Sequence, residues 1–142
     1  MKILSNRKGN IAVETALLFP ILALLGAGVG DFGYGVYDHM QLVSAVRAGA
    51  QYAVKAPDDV AGVQAAVEGA LSAEPGTVSV TVSAACECPG GVAALCADVC
   101  VDGLAARKYV TVSAAQPRQW LIDYPLINKP DTLSAEAVMR VQ

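Results

Sequence analysis

One carboxylate lies near the start of a long apolar run in this chain. Three of the first eight residues are basic, and Glu14 is the one charged residue between Ile11 and Gly30. A charged side chain at the centre of a bilayer costs about 2.5–3.5 kcal/mol on insertion scales, and charges inside membrane segments usually serve a function. Glu14 is therefore the first candidate functional residue.

Four cysteines are the second group of reactive side chains: Cys86, Cys88, Cys96 and Cys100. An even number of cysteines in an exported domain favours disulfides. Cys86 and Cys88 are too close in sequence to pair without ring strain. We expect nested bonds, Cys86–Cys100 and Cys88–Cys96, because a hairpin of the two flanking strands would bring Cys86 and Cys100 together. A zinc site, which would lack the usual paired C-x2-C knuckles, and a redox-active pair are the alternatives.

The apolar run is long enough to cross a membrane. Twenty residues of helix span about 30 Å, the thickness of the hydrocarbon core. The run exceeds the usual signal-peptide core, although a small-x-small site near Ala27 leaves a cleaved signal as an alternative. Pro20 is tolerated in a membrane helix. The glycines from Gly26 to Gly35 indicate either a surface for close helix packing or a flexible juncture.

The distribution of charge predicts the orientation of this run. After the three basic residues at the start, no Lys or Arg occurs until Arg47. The positive-inside rule therefore places the N-terminus in the cytoplasm and the rest of the chain outside. The formal net charge is −3, and the chain lacks the basic stripe of a nucleic-acid-binding protein.

The periodicity after the run predicts a small α+β head. Helical spacing continues over residues 36–56, and Asp58 or Asp59 can cap a second helix over roughly Val60–Ala73. Three later segments alternate with period two, at residues 77–85, 108–114 and 133–141. We expect these to form an antiparallel sheet of about three strands, with the cysteine segment as a loop.

The sequence carries no catalytic signature. His39 is the only histidine, and we expect it to be a solvated surface residue. No phosphate-binding loop, G-x-S-x-G or H-E-x-x-H motif occurs, so no cofactor, metal or enzymatic activity is predicted. Trp120 and Tyr124 indicate either core packing or a contact patch.

The basic leader and the start of the run resemble a type IV prepilin processing site. In that family a membrane peptidase cuts after a glycine and leaves a glutamate as the fifth mature residue. Here the cut would separate Gly9 from Asn10 and make Glu14 the fifth residue. The Thr-Ala-Leu-Leu-Phe-Pro segment after Glu14 and the Val-Arg-Ala-Gly-Ala-Gln-Tyr-Ala segment at 46–53 resemble the TadE-like family. Members of that family are minor pseudopilins of tight-adherence (Tad/Flp) pilus machines.

The resemblance covers residues 7–56 and implies a type IV pilin-like lollipop. Its parts would be a cleaved leader at 1–9, a transmembrane and extended helix at 10–56, and an extracytoplasmic α+β head at 57–142. Major Flp pilins are much shorter and carry a tyrosine after the glutamate, where this chain has Thr15, which favours a minor subunit.

The resemblance also implies a function, partners and a location. The protein would initiate, cap or prime a pilus at the inner membrane, with a periplasmic head that enters the pilus on assembly. Its partners would be the prepilin peptidase and other pilins and pseudopilins. Cleavage would expose an ammonium on Asn10 that could pair with Glu14 of a neighbouring subunit. The alternatives are an uncleaved signal-anchored binding module and a thiol-active exported enzyme.

Overall fold

The chain forms two helices followed by four strands. The computed structural model describes residues 7–71, 77–122 and 128–141. In chain order the elements are α1 (Arg7–Lys55), α2 (Val60–Ala70), β1 (Ser79–Cys88), β2 (Val92–Ala94), β3 (Arg107–Pro117) and β4 (Thr132–Arg140). The predicted α+β class, with a long N-terminal helix and a short second helix, is confirmed.

The first helix forms both the stem of the molecule and one wall of its head. It continues for 49 residues with Pro20 inside it, and the glycines from Gly26 to Gly35 lie in regular helix. Its large apolar side chains from Ile11 to Val29 are exposed, as expected of a surface that lipid covers. Within the described part of the chain, it is the helix long and apolar enough to cross a membrane, with a mean hydropathy of 2.0 in its most apolar window.

The second half of α1 packs on the sheet together with α2. Leu42 and Val46 are fully buried on α1 and meet Val110 and Val112 of β3 in a single core. Alanines on the same stripe of α1 allow the two helices to approach closely. Gly49 has the same effect, because a Cβ there would collide with the side chain of Val67 on α2.

The sheet is antiparallel with the strand order β2-β1-β3-β4. Its centre is β3, in which alternate residues are buried against the helices. The predicted count of about three strands therefore misses β2, which has three residues and is too short for a period-two pattern. A turn at Pro89-Gly90-Gly91 connects β1 to β2. Its φ angles are positive, 91° at Gly90 and 78° at Gly91, a conformation that favours glycine.

The two ends of the sheet lie at different heights along α1. Pro117, at the end of β3, is followed by Arg118, which contacts Asp31 where the apolar run ends. At the other end of β3, the Lys108 ammonium lies 2.7 Å from a carboxylate oxygen of Asp58, in the turn between the helices. The cysteine-bearing end of the sheet therefore lies away from the membrane stem.

Candidate functional site: the stem and its junction with the head

The residues of the predicted processing site lie in the first turns of α1. Gly9 and Asn10 have helical backbone, and Glu14 follows with an exposed side chain. Four residues of helix correspond to about 6 Å along the axis between Asn10 and Glu14. No described side chain pairs with Glu14, so a compensating charge has to come from the segment before Ile11 or from another molecule. Cleavage after Gly9 stays a prediction.

Asp31 is the first charged residue after the apolar run, and its side chain is buried with 2% exposure. Arg118 reaches it from the segment after β3: Nη2 donates to the Asp31 carbonyl oxygen at 2.6 Å and lies 3.7 Å from Oδ1. The backbone N–H groups of Leu121 and Ile122 each donate to the Asp31 carboxylate at 3.4 Å. One cation and two amides thus compensate a carboxylate that burial alone would strongly disfavour.

Trp120 packs over this junction. Its ring meets Phe32 of α1 edge to face, with centroids 5.3 Å apart. The Arg118 guanidinium lies 3.9 Å from the Trp120 centroid and the Lys129 ammonium 5.9 Å from it, both within the range of cation–π attraction. The indole N–H donates to the carbonyl oxygen of Pro130 at 3.1 Å. The head is therefore attached to the stem by ionic, hydrogen-bonding and aromatic contacts.

Gly35 makes the junction sterically possible. A Cβ at this position would overlap the Arg118 guanidinium, so the arginine can cross α1 to Asp31 only because residue 35 has no side chain. Gly26, Gly30 and Gly33 differ, since a Cβ there would meet no described atom within 4 Å. The glycine-rich segment therefore contains one position fixed by the head and three that leave the helix surface open.

Sequence reasoning missed this junction. Asp31 and Arg118 are 87 residues apart, and no local pattern connects them. The only available signal was an aspartate directly after the apolar run, together with a Trp-containing segment between two strands. Trp120 is half-buried, whereas Tyr124, grouped with it in the sequence, lies outside the described residues. His39 is exposed, as expected.

The cysteines form two disulfides, but the predicted nested pairing is wrong. The bonds are Cys86–Cys96 and Cys88–Cys100, with Cα–Cα distances of 5.0 and 5.5 Å, so they cross in sequence. The reason is that β1 continues through Cys88 and pairs with β2, with Cys86 opposite Ala94. This short hairpin returns the chain to Cys86 by residue 96, and Cys88 is left for Cys100.

The disulfides support a small apolar surface at the end of the head that lies away from the stem. A cavity of about 550 Å³ lies between β2 and the turn at 98–102. The carboxylates of this turn cap the backbone: Asp98 accepts from the Leu95 N–H at 2.9 Å, and Asp102 from the Leu104 N–H at 3.1 Å. Across residues 7–71, 77–122 and 128–141, no group of three His, Cys, Asp or Glu side chains is placed to hold a metal.

Asp59 is the N-cap of α2, one of the two caps that the sequence allowed. Its Oδ1 accepts from the Gly62 N–H at 2.9 Å and its Oδ2 from the Tyr52 hydroxyl at 2.8 Å. The hydrogen bond from the Gly62 N–H and, to a smaller extent, the hydrogen bond from the Tyr52 hydroxyl lower the pKa of Asp59 below its ordinary value of 3.8. The cap therefore fixes the turn that brings α2 back along α1.

Comparison with known proteins finds a similarity for most of α1. Residues 9–51 match the family model described as TadE-like protein, and no curated protein and no solved structure matches the chain. The matched segment lies within α1 and includes Glu14, Asp31 and Gly35, while the sheet lies beyond it. Residues 9–51 of this chain are thus similar to TadE-like proteins, the family that its residues resemble.

Proposed function

We propose that this protein is a minor pseudopilin of a Tad-type pilus machine, processed after Gly9 and held in the inner membrane by α1. The TadE-like match over residues 9–51 carries the proposal. It connects the chain with a pilus system, in which such components are structural rather than catalytic. The uninterrupted α1 supports the proposal, because one helix both forms the apolar stem and enters the core of the head.

Processing gives Glu14 its partner in this account. Cleavage after Gly9 produces an ammonium on Asn10, about one helical turn before Glu14. Between neighbouring subunits, a charge pair at 4 Å contributes about 4 kcal/mol at an effective dielectric of 20. This is of the same size as the cost of about 2.5–3.5 kcal/mol for a charge at the bilayer centre. The pair therefore offsets the burial of Glu14 and makes assembly depend on cleavage.

The shape of the molecule supports a role in initiating, capping or priming the pilus. The head is fixed to α1 at its base by Arg118, and its disulfide-bonded end lies away from the stem. The open surface at Gly26 and Gly30 suits close packing against stems of other pilins. The head then lies in the periplasm while the stem remains in the membrane, and other pilins and pseudopilins are its partners.

N-terminal sequencing of the membrane-extracted protein tests the proposal. In cells with an active prepilin peptidase, the chain should begin at Asn10, and without the peptidase it should retain the leader. Gly9→Val should block processing, whereas Gly69→Val, at an open position in α2, should leave it unchanged. A chain that keeps its leader in the presence of the active peptidase would refute the proposal and favour a signal-anchored binding module.

A further inference from the structure

The segment that follows β3 lies at the level where the membrane stem ends. Asp31 comes twenty residues after Ile11, about 30 Å along the helix axis, which is the thickness of the hydrocarbon core. Arg118 and the backbone N–H groups of Leu121 and Ile122 bind Asp31 directly. Residues 119–122 are therefore held beside α1 at the boundary between lipid and water.

The side chains at this level are those found at membrane surfaces. Leu121 is 84% exposed although it is apolar, and it follows Trp120, whose indole N–H is already bonded to Pro130. On α1, the aromatic side chains of Phe32, Tyr34 and Tyr37 are also exposed. Trp and Tyr are enriched at membrane–water interfaces, where one part of the ring system contacts lipid and the polar group contacts water.

We propose that residues 119–122 form a second membrane contact, in which Trp120 and Leu121 enter the headgroup–acyl boundary of the leaflet on the head's side. Lipid is the occupant because this surface is continuous with the stem, whose uncharged apolar run ends at Gly30, next to Asp31. Lys129 donates from its ammonium to the Ile122 carbonyl oxygen at 3.4 Å and lies 5.9 Å from the Trp120 ring. It therefore holds a positive charge at the level of the lipid phosphate groups.

A second contact would fix the angle between the head and the membrane. With the stem alone, α1 and the head fixed to it could tilt together in any direction in the membrane. With a contact beside the stem, one side of the head faces the lipid. The proposal requires only that α1 spans the membrane, so it holds whether or not the chain is processed after Gly9. A result against this membrane contact would not count against the proposed pilus function.

Fluorescence of the full chain in lipid nanodiscs tests this contact. Trp120 is the only tryptophan, so its emission reports on the junction without a label. In nanodiscs of phosphatidylcholine brominated near the headgroup, Trp120 should lose most of its emission, and it should lose less when the bromines lie near the chain ends. The scaffold protein around the nanodiscs is a tryptophan-free variant, so Trp120 is the only source of tryptophan emission and lipid alone has to produce the quenching.

Two variants move the tryptophan to positions of known exposure. Trp120→Phe/Leu121→Trp should be strongly quenched by the shallow bromines and protected from acrylamide in the aqueous phase. The matched control, Trp120→Phe/Leu104→Trp, places it at a 59% exposed position among the cysteine-bearing loops and should show the reverse. The proposal is overturned if the two variants are equally accessible to acrylamide, or if wild-type Trp120 is not quenched by either brominated lipid.

Discussion

Removal of the Arg118 guanidinium is the most informative perturbation of the head–stem junction. In Arg118→Met, the long apolar part of the side chain remains while Asp31 loses its cation and the hydrogen bond to its carbonyl oxygen. Both side chains of the pair are almost fully buried, at 6% and 2% exposure. The substitution therefore leaves a buried carboxylate with only the backbone N–H groups of Leu121 and Ile122.

The expected cost follows from this burial. Breaking a buried ion pair from one side typically costs about 3–5 kcal/mol, because the remaining charge is uncompensated. The 3.7 Å separation and the two amide donors to Asp31 place the present case at the lower end, at about 3 kcal/mol. In the double variant Asp31→Asn/Arg118→Met no unpaired charge remains, and about 1–3 kcal/mol should be recovered as coupling.

Lys108→Met is the matched control. It removes the cation from a shorter contact, 2.7 Å to Asp58, but that carboxylate is 88% exposed, so the cost should be below about 1 kcal/mol. Denaturant unfolding of the full chain in nanodiscs, followed by near-ultraviolet circular dichroism, gives the free energies. Equal destabilisation by Arg118→Met and Lys108→Met, or a double variant no more stable than Arg118→Met, would contradict this account of the junction.

Three further perturbations address other parts of the molecule. Gly35→Val should displace the Arg118 guanidinium and destabilise the junction, whereas Gly33→Val, at an open position, should change the free energy of unfolding little. Similar free energies of unfolding for the two variants would count against the described packing of Arg118 over Gly35. Replacing Cys86 and Cys96 by alanine should cost about 2–3 kcal/mol by loop-closure entropy, and peptide mapping of the wild type should recover crossed rather than nested disulfides. Because folding lowers the pKa of Asp59, its stabilising effect is present above its unfolded pKa near 3.8 and is lost as the pH falls through the lower, folded value. Hydrogen exchange in α2 should therefore accelerate at acid pH, and Asp59→Ala should remove most of that dependence.

The sequence was sufficient to predict the elements with long, regular patterns. The apolar run predicted a membrane helix by its length and composition, and the helical spacing over residues 36–56 predicted that the chain is helical again beyond the glycines. The alternating valines of β1 and β3 predicted two paired strands, and Val82 lies opposite Val112 in the structure. In each case a local pattern extends over many residues, so the residues of the segment itself determine the element.

The remaining features depend on contacts between distant residues. A strand of three residues such as β2 carries no period, and its pairing with β1 decides which cysteines meet. The junction depends on the contact between Asp31 and Arg118. These residues are 87 positions apart, so no local sequence pattern predicts that they meet. The role of Gly35 follows from that junction, so it could not be distinguished from the neighbouring glycines by sequence alone.

The most direct test of the pilus function is the piliation of cells in which Glu14→Ala replaces the wild-type chain. The variant should insert into the membrane and lose its leader normally, but pilus formation should fail because the Asn10 ammonium has no partner. Cells that carry Glu68→Ala, which removes an exposed carboxylate from α2, should form pili as wild-type cells do. Normal pili on the Glu14→Ala cells would contradict the central claim.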